Sequence, residues 1–117
     1  MRLLLVINDA PYGSEKAYNA LRLIMAIQKE HPNTEVLVFL LSDAVSCALP
    51  NQSTPQGYYN IERMLESVIR KGAKVKICGS CIAARGIEEL KLIEGLQTSN
   101  MSELADWVID SDKIITF

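Results

Sequence analysis

Leu3-Leu4-Leu5-Val6-Ile7, halted by Asn8-Asp9, and Val36-Leu37-Val38-Phe39-Leu40-Leu41, halted by Ser42-Asp43, are the two stretches that decide the fold. Neither alternates apolar with polar residues, as a strand with one wet face would. Each is predicted to be a parallel strand buried on both sides. Between them Ala17, Ala20, Leu21, Ile24 and Ile27 recur at helical spacing. Ser14 is the expected N-cap of that helix, and His31-Pro32-Asn33 ends it, because proline cannot continue a helix and restricts the residue before it. Strand, helix and strand in this order make a β-α-β unit.

Outward from this unit the pattern repeats. Asn60 opens a second helix whose Ile61, Met64, Leu65, Val68 and Ile69 form one stripe, with Gly72 as its stop. Lys74 to Ile77 is the next strand. Asn100 and Glu103 have capping-box spacing, and Met101, Leu104, Ala105, Val108 and Ile109 form the expected stripe of a later helix before a final strand, Lys113 to Phe117. Such alternation through residues 1–117 predicts one α/β domain, a three-layer sandwich with a mostly parallel, flavodoxin-like central sheet. Residues 50–57, rich in Pro, Gly and Gln, read as a surface loop, either a lid or a plain insertion. Leu23, Met25, Ala26 and Trp107 lie off the helical stripes. They are either buried on a second side or meet another subunit.

Composition narrows the classes. A chain of 117 residues with 49% hydrophobic content suffices for one core. Its 12 basic and 14 acidic residues are well mixed and give a net charge of -2, so the basic stripe that nucleic-acid binding needs is missing. The opening apolar run is too short for a signal-peptide core or a membrane span, and cytoplasmic residence is the expectation. Three cysteines are too few for a disulfide framework. In a reducing compartment they are free thiols, metal ligands or redox groups.

In an open parallel sheet the chemistry gathers past the carboxyl ends of the strands. Three such loops are expected on one edge here: Asn8-Asp9-Ala10-Pro11-Tyr12-Gly13-Ser14, Ser42-Asp43, and Cys78-Gly79-Ser80-Cys81. Gly79 and Ser80 suit a helix start, whose N–H groups would face Cys78 and favour its thiolate. Asp9, Tyr12, Ser42, Asp43 and Arg85 are the expected neighbours, Arg85 alone being positive and suited to a thiolate or an anion. Thiols at this spacing close a disulfide, share a metal or pass a sulfur atom.

Plainer roles compete at each position. Ser14 and Asp43 are also cap types, Gly13 and Gly86 serve backbone angles, and Tyr12 covers the core edge after Pro11. Cys47, among Ala44, Val45, Ala48 and Leu49, reads as a small buried hydrophobe. His31 belongs to the opposite edge of the sheet. Cys47 and His31 do not complete a zinc ligand set with the CxxC pair, so no metal and no cofactor are expected. Ile77 and Ile82 are not the usual surroundings of a thioredoxin-like centre, and Cys78 and Cys81 as two inert buried thiols remain a further reading.

Several segments together resemble the DsrE/DsrF-like family, nearest its YchN-type branch: Ala10-Pro11-Tyr12-Gly13-Ser14-Glu15, Phe39 through Val45, Gly57-Tyr58-Tyr59-Asn60-Ile61, Cys78 through Gly86, and Ser111 through Phe117. The resemblance implies a cytoplasmic α/β sandwich that forms homo-oligomers, trimers or hexamers. It also implies a sulfur-relay protein, a sulfurtransferase or sulfur carrier, with protein donors and acceptors. In sulfur-carrying members, including TusD-like proteins of transfer-RNA thiolation, a cysteine followed after six residues by Arg-Gly accepts sulfur as a persulfide. That frame selects Cys78 with Arg85-Gly86, and Cys81 is an extra thiol that would pass the sulfur on or resolve the persulfide. On this reading Arg85, Tyr12, Asp43 and Ser42 bind the substrate. The alternatives are an oligomeric module binding a small ligand, or a Cys78-Cys81 thiol-disulfide switch without sulfur transfer.

Overall fold

A computed structural model describes all 117 residues. In chain order the elements are β1 (Arg2–Ile7), α1 (Lys16–Glu30), β2 (Glu35–Leu40), a 3₁₀ helix (Ser42–Ala48), α2 (Ile61–Arg70), β3 (Lys74–Cys78), α3 (Gly79–Ala84), β4 (Leu96–Ser99), α4 (Met101–Asp110) and β5 (Lys113–Thr116). The strands form one sheet in the order β4-β3-β2-β1-β5. Every pairing is parallel, with Leu5 opposite Val38, Val38 opposite Val75 and Val75 opposite Leu96.

Parallel crossovers are right-handed, which fixes the layers. The chain steps one way from β1 to β4, so α1, α2 and α3 share one face. It then returns across the whole sheet to set β5 beside β1, which sends α4 to the other face. The side chains agree: Gln28 of α1 donates to the Val68 carbonyl of α2 at 2.9 Å, while Trp107 of α4 meets Phe39 of β2 edge-on, with centroids 6.3 Å apart. β1 and β2, covered from both sides, are buried from Leu3 to Ile7 and from Val36 to Leu40. That double cover is why neither run tolerates alternation.

Local signals set the helix ends. The Asn60 side chain accepts from the Arg63 N–H and that of Asn100 from the Glu103 N–H, each satisfying an otherwise orphan donor. Glu103 reaches the Ser99 hydroxyl instead of the Asn100 N–H, so only half of the capping box forms. At α1 the cap position falls on Glu15, and Ser14 stands one residue earlier, accepting weakly from the Lys16 N–H at 3.3 Å. The stripe expected of α4 needs a larger correction. Leu104 is buried and Trp107 faces the sheet, whereas Met101 and Ile109 are 63% and 83% exposed. The bulky indole packs on Phe39 and takes the Lys76 ammonium at 4.6 Å, which turns the expected stripe outward. No helix is long and apolar enough to cross a membrane.

Candidate functional site

β2 and β3 are adjacent and parallel, so the segments that follow them emerge side by side. After β2 the backbone turns sharply at Ser42, whose φ of 55° lies in the left-handed region. That conformation costs a non-glycine residue roughly 1–2 kcal/mol. It points the Ser42 N–H at Cys81 Sγ, 3.3 Å away. After β3 the chain passes directly into α3, with Cys78 at the N-cap; its sulfur accepts the Cys81 N–H at 3.2 Å and lies 3.3 Å from Ser80 Oγ. Cys78 and Cys81 are paired as a disulfide across Cα atoms 5.3 Å apart. Each sulfur thus receives a backbone N–H, one from its own turn and one from the neighbouring loop.

Gly79 makes this turn tight. A β-carbon there would stand 3.1 Å from Thr98 Cγ2 and 3.2 Å from the Ser99 carbonyl, so the start of α3 lies against β4. At the other end of α3, Arg85 donates from Nε and Nη2 to Asp43 Oδ1, at 3.1 and 2.6 Å, and from Nη1 to the Cys81 carbonyl at 3.1 Å. The guanidinium therefore joins the 3₁₀ helix to the CxxC turn, with its hydrogen bonds going to oxygen. Ser42 Oγ donates to Asn8 Oδ1 at 3.4 Å, and the Asn8 amide donates to the Phe117 carbonyl, so the β1 loop is tied to the same edge.

Cys78, Cys81, Ser42, Asp43 and Arg85 come together as the sequence implies. Tyr12 is drawn elsewhere. Its hydroxyl accepts the Ile61 N–H at 3.1 Å, and its ring stacks on Tyr59, which stacks in turn on Tyr18 and Tyr58. Beside these tyrosines a concavity of about 440 Å³ is lined by Gly13, Ser14, Glu15, Gly57, Tyr58 and Tyr59. Asp9 holds the Ser14 hydroxyl at 2.8 Å. Two partners escaped the sequence reading: Ser80, whose hydroxyl two residues after Cys78 was the available signal, and Asn8, which nothing local distinguished from a loop residue.

The two paired residues differ in exposure. Cys78 is 5% exposed and Cys81 is half-buried. Cys47 is a free, buried thiol whose S–H faces the Asp9 carbonyl at 3.8 Å. Burial pushes its pKa up to about 12; a backbone hydrogen bond opposes the rise and the Asp9 carboxylate adds to it. No group of three or more His, Cys, Asp or Glu side chains converges to hold a metal ion.

The sequence profile described as the DsrE/DsrF-like family matches residues 1–117. Protein YchN of Escherichia coli is 41% identical over 116 residues, covering 99% of this chain and 98% of that protein. A protein of Methanocaldococcus jannaschii is 40% identical over 117 residues, with both chains covered in full. The crystal structure of the E. coli YchN protein superposes with a TM-score of 0.94, covering 100% of this chain and 99% of that one. A protein of unknown function from Methanobacterium thermoautotrophicum, 15% identical, shares the fold at a TM-score of 0.73 over 99% of this chain and 98% of its own.

Proposed function

The chain belongs to the DsrE/DsrF-like family, and from that premise we propose that it is a cytoplasmic sulfur-relay protein carrying sulfane sulfur as a persulfide on Cys78. One observation carries the reading: two sulfurs at the carboxyl edge of a parallel sheet, each receiving a backbone N–H. Such donors stabilise negative charge on sulfur, the form that attacks. In the dithiol form the Cys78 thiolate attacks the outer sulfur of a donor persulfide. A sulfur–sulfur bond forms on Cys78, and the donor leaves as its thiolate. An acceptor thiolate then takes the outer sulfur of Cys78-S-SH and returns Cys78 to the thiolate. Arg85 acts by position, holding Asp43 and the Cys81 carbonyl together and so keeping the two loops in register.

The relay is also proposed to work as a homo-oligomer, a trimer or hexamer. The outward face of α4 supports this, since Met101 and Ile109 expose most of their apolar surface.

Reduced protein incubated with a cysteine desulfurase and cysteine is expected to gain one sulfur's mass on Cys78. The absence of any gain in wild type and in Cys81→Ser alike, with no reductant present during labelling, sinks the proposal. The pairing of Cys78 with Cys81 favours a second reading, a thiol-disulfide switch without sulfur transfer. It predicts a reversible disulfide in the cytosolic range of potentials and no sulfur gain.

A further inference from the structure

We propose that the loaded site discharges internally, with Cys81 releasing the sulfur held on Cys78 as hydrosulfide and leaving the Cys78-Cys81 disulfide. This rests on Cys78 being the sulfur acceptor. It adds an activity, reduction of sulfane sulfur to sulfide by a dithiol, and it limits how long the protein can hold its cargo.

The geometry carries the step. The Cα atoms of the pair are 5.3 Å apart, inside the range that a disulfide requires without backbone movement. The turn between them is fixed on two sides. Gly79 is pressed against Thr98 and Ser99 of β4, and the half-turn containing Cys81 is held by Arg85 on its carbonyl and by the Ser42 N–H on its sulfur. A persulfide on Cys78 therefore has the Cys81 sulfur as a permanent neighbour. An intramolecular neighbour acts at an effective concentration on the order of millimolar or more. A diffusing acceptor protein has to compete with that. Ser42, in a left-handed conformation with φ of 55°, bears the cost of aiming a donor at Cys81 Sγ. This is the sulfur that must carry negative charge to attack.

The balance is complete. The Cys81 thiolate attacks the inner sulfur, Cys78 Sγ, and the bond from Sγ to the outer sulfur breaks. Its electron pair leaves with that sulfur, which departs with the persulfide proton as HS⁻. The two cysteines are oxidised to a disulfide, and the sulfane sulfur is reduced to sulfide. No further oxidant is consumed. Resetting the site takes two electrons from an external dithiol reductant.

The test loads reduced wild type and Cys81→Ser with glutathione persulfide, removes the excess by desalting, and follows intact mass and released sulfide together. Circular dichroism confirms that the variant is folded, and Cys81→Ala repeats the measurement without a hydroxyl. In wild type the sulfur-loaded species should decay to one lighter than the reduced protein by two hydrogens, with one sulfide per disulfide. In both variants the added sulfur should stay on Cys78 and no sulfide should appear. Wild type that keeps its sulfur as long as the variants do, or variants that release sulfide as fast as wild type, overturns the inference while leaving Cys78 as acceptor. Variants and wild type that never gain sulfur overturn the acceptor reading itself, and the inference with it.

Discussion

At the scale of single residues, the three cysteines have the same side chain and three different environments. Cys47 is enclosed by the 3₁₀ helix and the loop after β1, and burial raises its pKa to about 12, so at neutral pH it is almost entirely thiol. Cys78 is buried and Cys81, half-buried, is the more exposed residue of the pair, each accepting a backbone N–H at its sulfur. On treating reduced protein with iodoacetamide at neutral pH, Cys81 should be modified first and Cys47 only after unfolding, as peptide mass mapping would read. Modification of Cys47 in step with Cys81 would contradict this assignment. Sequence had separated Cys47 from the pair by its apolar neighbours. It had no means of ranking Cys78 against Cys81 by access, because that depends on which side of α3 faces the 3₁₀ helix.

At the scale of elements, the glycines beside β4 report on how closely the CxxC turn is held. Gly79→Ala brings a methyl group to 3.1 Å from Thr98 Cγ2 and 3.2 Å from the Ser99 carbonyl, a tight fit that should cost at most about 1 kcal/mol, the low end of overpacking. Gly95→Ala should cost more. Its φ of +91° is strained for alanine, and the new carbon would stand 2.7 Å from Ile69 Cγ2 on α2, a branched side chain with little freedom to yield. Urea titration should therefore rank wild type above Gly79→Ala and Gly79→Ala above Gly95→Ala; Gly79→Ala falling below Gly95→Ala would mean that Ile69 on α2 gives way more easily than β4. The strand itself, Leu-Gln-Thr-Ser, carries a single large apolar residue and was not legible from pattern. It exists because β3 offers an edge to pair with and Asn100 then starts α4.

At the scale of the whole molecule, charge and surface make separate predictions. Arg2 and then Lys74 hold the Glu35 carboxyl below its ordinary range, and the Ser99 hydroxyl followed by Lys76 does so for Glu103. Folded-state values lowered in this way contribute stability that is complete above the ordinary carboxylate value of 4.5 and lost as pH falls through the lowered values. Tyr59 behaves oppositely. Burial, then the Glu15 charge, raise its phenol, so its contribution holds below its ordinary value of 10.0 and is lost as pH rises through the raised one. A urea midpoint measured against pH should form a plateau between these limits. Glu103→Gln should flatten the acid side and Tyr59→Phe the alkaline side, and unchanged limbs in both would refute the assignment. The second prediction concerns the outward face of α4. In the proposed homo-oligomer, Ile109→Glu should lower the mass seen by sedimentation to that of one chain while the far-UV circular dichroism of the subunit stays unchanged, since Ile109 is 83% exposed within the subunit. Wild type that already sediments as one chain would refute the proposed oligomer, and an assembly that persists in the variant would move its interface elsewhere.

The unbroken apolar runs of β1 and β2 and the helix between them determined a parallel α/β sheet, because a strand covered on both faces has no polar position to spare. The same reasoning brought Ser42, Asp43, Cys78, Cys81 and Arg85 to one edge, since parallel strands end together. What only the tertiary structure decided were quantities fixed by neighbours. Arg85 pairs with Asp43 and the Cys81 carbonyl because the 3₁₀ helix stands beside α3. Tyr12 turns to α2 because its hydroxyl meets the free Ile61 N–H there. The outward stripe of α4 followed from Trp107 finding Phe39 and Lys76 across the sheet. Periodicity gives a helix its faces, but the largest side chain and the surface that receives it decide which face is turned inward.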